Sequence, residues 1–153
     1  MSHFIAYSRH TTRHPQHNYC ASASYFVTIR AEQHEPVFER PILYRIVKEH
    51  WEKLAERFRC VTLDEFVIMP DHVHGILHFS IERKDKNASL GRIIGAYKSL
   101  TTNEWMDYVK VYDQSWPGKL WQRNYHESII RNPAHLEQER RYIRENPQRW
   151  QEK

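Results

Sequence analysis

Two groups of residues in this 153-residue chain have the makings of a reacting site. The first lies in Met69-Pro70-Asp71-His72-Val73-His74-Gly75-Ile76-Leu77. On a strand side chains alternate, so His72 and His74 share one face while Val73, Leu77 and Phe79 take the other. Residues two apart on a strand are separated by roughly 6.6 Å, close enough for two imidazoles to meet on one cation. His-x-His is a short motif, and two half-exposed strand histidines account for it equally well. His78 shares the face with no evident partner and reads as structural or solvated. The second group is Tyr142 and Asn146, four apart, which differ by about 40° around a helix. His135, Gln138 and Glu139 fall on the same side, while Leu136 and Ile143 form a separate apolar stripe roughly 100° round. Taken singly, a half-buried tyrosine and a helix-ending asparagine before Pro147 explain this pair. Taken with His72 and His74, the four residues favour a single site.

The elements that must position these residues follow from periodicity. Tyr19 to Arg30, with Tyr25-Phe26-Val27-Thr28-Ile29 at its centre, is β-branched and aromatic, a strand. From Pro41 to about Phe58, Ile42, Leu43, Ile46, Val47, Leu54 and Phe58 recur at helical spacing, with proline at the first turn. Cys60–Met69 and His72–Ile81 are strands joined by a Pro70-Asp71 turn, and so form an antiparallel hairpin. Charged Glu82–Asn87 is a loop. A second long helix runs from Ser89 to about Tyr108, with Leu90, Ile93, Ile94, Tyr97 and Leu100 on one side. Trp116-Pro117-Gly118 breaks the chain, and Leu120–Arg131 reads as the fourth strand. Asn132 then caps a helix that has Pro133 at its first position and ends at Asn146, because Pro147 disfavours helical geometry before it. The order β-α-β-β-α-β-α predicts an α+β fold: a ferredoxin-like four-stranded antiparallel sheet with an added C-terminal helix.

Composition bounds the possibilities. The length fits one domain spanning 1–153, with a basic N-terminal segment over 1–18 and a folded core over 19–150. Four glycines and seven prolines argue against a fibrous or disordered chain. Five tryptophans and nine tyrosines among 23 lysines and arginines suit a surface that neutralises phosphates and stacks bases, although a net charge of +4 is weak evidence alone. Cys20 and Cys60 have no metal-like spacing and suggest a reduced chain rather than a disulfide framework. With no apolar leader and no stretch able to span a bilayer, the expected location is cytoplasmic.

Met69-Pro70-Asp71-His72-Val73-His74, Tyr97-Lys98-Ser99, Tyr125-His126-Glu127 and Tyr142-Ile143-Arg144-Glu145-Asn146-Pro147 stand in order along nearly the whole chain. Together they resemble the REP-associated tyrosine transposases, members of the single-tyrosine HUH transposases of bacterial insertion sequences. The resemblance implies a nucleophile at Tyr142 and an Mg²⁺ or Mn²⁺ site made by His72, His74 and Asn146. It also implies a 5′-phosphotyrosine intermediate with a free 3′-hydroxyl, and single-stranded DNA carrying hairpins as substrate. Lys98 and Ser99 would then touch the DNA backbone, although an exposed helix face explains them nearly as well. A monomer is favoured over a homodimer with shared sites, and no protein partner is implied.

Other residues stay open at this level. Tyr125 is a rival nucleophile, on a strand and without a polar residue four positions on. His126 and Glu127 are candidates for the neighbourhood of the site. Arg9, His10, Arg13 and His14 are candidates for contact with a DNA hairpin, or else a tail. Two other functions compete: a DNA-binding regulator that no longer cleaves, and a zinc hydrolase built on the histidine pair. Binding alone needs no nucleophile, and a zinc hydrolase wants a third His, Asp or Glu ligand that has no obvious place here.

Overall fold

The computed structural model describes residues 23–80 and 88–151, residues 149–151 by backbone only. Four strands, β1 (Ala23–Arg30), β2 (Val61–Met69), β3 (His72–Phe79) and β4 (His126–Ile130), form one sheet in the order β2-β3-β1-β4. Each neighbouring pair is antiparallel. The helices are α1 (Pro41–Glu52), the single turn α2 (Leu54–Arg57), α3 (Leu90–Tyr112) and α4 (Pro133–Gln151). This is the expected ferredoxin-like arrangement with an added C-terminal helix.

The two central strands are covered on both faces, and their sequences show it. Tyr25, Val27 and Ile29 of β1, with Val73, Leu77 and Phe79 of β3, face the larger core beneath α1 and α3. Phe26 and Ile76 face the other way, into a smaller core with Ile130 and Ile143 of α4. In α3, Leu90, Ile93, Ile94, Tyr97, Thr101, Trp105 and Val109 are buried at helical spacing, and the Ser89 hydroxyl caps the helix by accepting from the Arg92 N–H. Trp51 of α1 stacks on Phe66 of β2, with centroids 4.5 Å apart and planes 9° apart. Its ring lies over Gly75, where a Cβ would sit 2.2 Å from the indole. The glycine between the histidine pair and Ile76 is therefore a close-approach residue.

Several element bounds differ from the sequence reading, each for a local reason. The first helix breaks at Lys53, which separates α1 from α2. The fourth strand is confined to His126–Ile130. Trp121 makes only an isolated bridge with Ala31, and its indole N–H donates to Thr101 Oγ1 at 2.9 Å. The segment that follows turns its carbonyls toward Lys98 rather than toward a neighbouring strand. The α3 helix extends to Tyr112, one turn beyond expectation. The α4 helix continues through Pro147 to Gln151, losing the backbone bond that a non-proline N–H would give the Ile143 carbonyl. Asn132 Oδ1 accepts from the His135 N–H at 2.8 Å, which is the expected cap. The Glu82–Asn87 loop, Cys20 and the N-terminal Arg9, His10, Arg13 and His14 lie outside the described residues.

The strand β2 carries the irregularity that matters most. Leu63 pairs with Leu77 and Phe66 with Gly75, so Asp64 and Glu65 together face the single residue Ile76. This is a β-bulge, which re-aims side chains. It lets two consecutive residues both reach α4, while Phe66 returns to the Trp51 side.

Gly75→Ala is expected to destabilise the fold by about 1–3 kcal/mol, because the methyl group displaces Trp51. Denaturant unfolding of the variant checks this. An unchanged midpoint would show that the ring does not press on this backbone.

Candidate active site

The face of the sheet under α4 is built by alternation. On β3 it carries His72, His74, Ile76 and His78; on β1, Arg30, Thr28, Phe26 and Ser24. The register pairs Arg30 with His72, Thr28 with His74, Phe26 with Ile76 and Ser24 with His78. Across the other edge of β1, Thr28 pairs with His126. His126 therefore lies in one row with Thr28 and His74, whereas Glu127 pairs with Val27 and points to the opposite face.

His72 and His74 are buried, and their Nε2 atoms lie 3.0 Å apart. Their outer nitrogens are held from behind: the Asp71 carboxylate lies 2.5 Å from His72 Nδ1, and Thr28 Oγ1 lies 2.8 Å from His74 Nδ1. A carboxylate beside Nδ1 favours the tautomer of His72 that carries its proton there, and the Thr28 hydroxyl fixes the orientation of the other ring through its Nδ1. Burial lowers the pKa of His72 against the upward pull of Asp71. Burial, and after it the neighbouring His72 and Arg30, puts His74 well below the ordinary histidine value. Both rings are thus held neutral, the form that ligates a metal.

Tyr142 is half-buried. Its ring meets His74 edge-on with centroids 5.5 Å apart, and meets Phe26 at 5.9 Å. One turn further along α4, Asn146 is 8% exposed, and its buried Nδ2 has no hydrogen-bond partner among the described residues. The polar side of α4 is partly covered: Gln138 stays exposed, while Glu139 and Asn146 are buried. Glu139, on that side, is 1% exposed, with His135 Nε2 3.4 Å from its carboxylate. The structure therefore gathers His72, His74 and Tyr142 on one face within one chain, with Asn146 buried on the same helix.

Ion pairs set the seat of α4. Arg140 donates from Nε and Nη2 to the Asp64 carboxylate, with a shortest distance of 2.6 Å, and Arg144 Nε donates to Glu65 at 3.0 Å. Asp64 also receives His78 Nε2 at 2.7 Å, and Ser24 Oγ lies 2.7 Å from His78 Nδ1. His78 thus has the partners that its sequence position did not reveal. The Arg140 guanidinium, ahead of a smaller burial effect, holds the Asp64 carboxyl far below the usual range.

The remaining candidates lie elsewhere. Lys98 donates from Nζ to the carbonyls of Gln122, Arg123 and Asn124 at 2.7, 3.3 and 3.0 Å, so it organises the loop before β4. Burial, then Lys119, pushes its pKa down to about 8. Ser99 is exposed beside it, on a shallow cleft of about 330 Å³ that Lys119 and Arg123 also line. Tyr125 packs against the larger core, with Lys98 over its ring at 6.0 Å, on the α1 and α3 side of the sheet. Sequence reasoning passed over Thr28, Asp64 and Arg140. Only the polar Thr28 inside an apolar strand gave a signal.

Comparisons with known proteins agree with this fold. Residues 20–146 match the family described as IS200-like transposases. An uncharacterised protein of Haemophilus influenzae (strain Rd) is 30% identical over 94% of this chain and 91% of its own length. A solved REP-associated tyrosine transposase, bound to a REP hairpin, shares the fold with a TM-score of 0.67 at 16% identity, covering 90% of this chain and 73% of that one. A candidate transposase from Deinococcus radiodurans R1 aligns with a TM-score of 0.55, again at 16% identity, over 88% of this chain and 96% of its own. Among the described residues no helix is long and apolar enough to cross a membrane.

Asp64→Asn should destabilise the protein by about 1.5–3 kcal/mol, the usual worth of hydrogen bonds to a charged partner. The native carboxyl has a depressed pKa, so its contribution is complete above the unfolded value of about 3.9 and fades as pH falls below it. Unfolding curves of wild type and variant should converge below about pH 4. A gap that persists undiminished in acid would assign the stabilisation to something other than this charge.

Proposed function

The chain belongs to the IS200-like transposase family, and on that premise we propose that it cuts and rejoins single-stranded DNA beside hairpins, with Tyr142 as nucleophile. The observation that carries this reading is the placement of the Tyr142 ring against His74, whose Nε2 lies 3.0 Å from that of His72, all in one chain. A nucleophile already beside the histidines in its own subunit fits a monomer that needs no partner helix. Tyr125 packs against the other face of the sheet, which favours Tyr142.

The histidine pair fits a divalent cation. Two neutral imidazoles whose Nε2 atoms converge at 3.0 Å, joined by one carboxamide oxygen, would leave room for a phosphate oxygen and water on the ion. His72 and His74 would hold Mg²⁺ or Mn²⁺ through Nε2. Asn146 would add its carboxamide oxygen, since a half-turn of that group puts Oδ1 where Nδ2, without a partner among the described residues, now lies. When bound, such an ion polarises a phosphate oxygen and offsets charge in the transition state.

The chain's own residues do the rest. The Tyr142 phenol gives up its proton and its oxygen bonds to phosphorus. The bond from phosphorus to the 3′-oxygen breaks, and that oxygen leaves with a proton as a free hydroxyl. The 5′-phosphotyrosine keeps the phosphodiester's free energy, so a 3′-hydroxyl can reverse the step without another energy source. Asp71 and Thr28 fix the two rings, and α4 fixes the approach of the phenol. The REP-associated transposase was solved on a REP hairpin. The same class of DNA is proposed here, with Arg9, Arg13 and Ser99 as candidates for backbone contact.

Incubation with hairpin-bearing single-stranded DNA and Mn²⁺, followed by a denaturing gel, tests the reading. Wild type should form a covalent adduct, and Tyr142→Phe should form none while binding DNA nearly as well. Persistence of the adduct in that variant would remove Tyr142 from its role. His72→Ala, His74→Ala and chelation should each abolish cleavage, with Mg²⁺ or Mn²⁺ restoring the chelated enzyme. Recovery with Zn²⁺ alone would point to hydrolase chemistry instead. The matching perfect duplex should be cut little or not at all, because it constrains the backbone that a single strand can bend into the site.

A further inference from the structure

Arg30 ends β1 on the same sheet face as the histidines. It pairs directly with His72 and stands two residues from Thr28, which is bonded to His74. Directly paired strand residues have Cβ atoms about 4.5–5.5 Å apart, so the Arg30 side chain starts beside that of His72 on the face that carries the Nε2 pair. Its positive charge also acts, behind burial, on His72, His74 and His126. Asp71, the carboxylate next to His72, is engaged by the His72 ring instead. Every ion pair seen for Arg40, Arg45, Arg140 and Arg144 has an acidic partner in the fold. Among the described residues Arg30 has none within 4 Å, although it is half-buried.

We infer that Arg30 is a phosphate-binding residue of the site, gripping the phosphodiester that is presented to Tyr142. The inference rests on the reading of Tyr142 as nucleophile and adds a contact to it. A planar fork of N–H donors matches two phosphate oxygens, and a cation fixed beside the reacting phosphorus stabilises the charge that builds there. The fold supplies Thr28 and Asp71 to hold the neighbouring rings and leaves the arginine's charge for the substrate.

The test uses the full chain in chelator, so that binding is read apart from metal-supported activity. Affinity for a hairpin-bearing single strand is measured by fluorescence anisotropy across a salt series, for wild type, Arg30→Gln and Arg30→Lys. A series of oligonucleotides, each with one uncharged methylphosphonate linkage, is measured alongside, and the same strands are then cut with Mn²⁺. Arg30→Gln should melt like wild type, bind about tenfold more weakly, and flatten the slope of log affinity against log salt by about 0.7. At one linkage the methylphosphonate should weaken wild type but not Arg30→Gln, and that linkage should be the one cut. Arg30→Lys should keep the salt slope and still cleave more slowly, because it lacks the fork. Unchanged affinity and slope in Arg30→Gln would overturn the inference, as would additive losses at every linkage or coupling at a linkage that is not cut. If wild type bound and cut normally in those cases, the role of Tyr142 would stand. If wild type neither bound nor cut any strand, that reading would fall and this inference with it.

Discussion

The position of α4 rests on the bidentate pair between Arg140 and Asp64. Among its described side chains the helix brings Ile143 fully into the apolar contact with the sheet, with Leu136 and Tyr142 partly buried beside it. So small a patch is non-directional and does not choose one seat along the sheet. The choice falls to charge-assisted bonds of fixed geometry: Arg140 to Asp64, Arg144 to Glu65, and His78 joining Asp64 from below. A slip of one helical turn moves a side chain by about 5.4 Å, enough to take Tyr142 off the His74 ring. All of these contacts depend on the bulge that aims Asp64 and Glu65 at the same helix.

The two faces of the sheet divide the work. The side under α1 and α3 is apolar and tightly packed, to the point that Trp51 leaves no room for a side chain at Gly75. The side under α4 is mixed, and its buried polar groups are held largely by one another. Thr28 meets His74, Ser24 meets His78 and Asp71 meets His72, which removes the cost of hiding polar atoms from water. The same burial keeps the two rings of the histidine pair neutral. A pair of neutral, closely spaced imidazoles is thus a consequence of satisfying polar groups on a covered sheet.

Cations are used in contrasting ways across the molecule. Lys98 turns its ammonium inward on three carbonyls and shapes the loop that leads into β4. Arg140 and Arg144 turn their guanidinium groups on β2 and fix a helix. What decides a basic side chain's use is whether the fold supplies its acceptors. Composition counts these residues together, whereas geometry separates structural charges from those left for a ligand.

The sequence by itself determined the element order, the sheet topology it implies, the face shared by His72 and His74, and the Asn132 cap. These depend on periods of two and 3.6 and on cap chemistry, which are local properties of the chain. It also brought out Tyr142 and Asn146, because a helix fixes the relation between residues four apart. The bulge at Asp64 was not legible, since a two-for-one pairing exists only relative to β3. The partners of His78, the inward use of Lys98 and the burial of Glu139 and Asn146 were equally hidden. Each joins residues far apart in the chain, such as Arg140 to Asp64 or Lys98 to Gln122. Pro147 misled for the opposite reason: its local preference ends a helix, and in the folded chain α4 runs on through it. Only tertiary structure decided which groups meet, because no local spacing encodes the register between a helix and a strand.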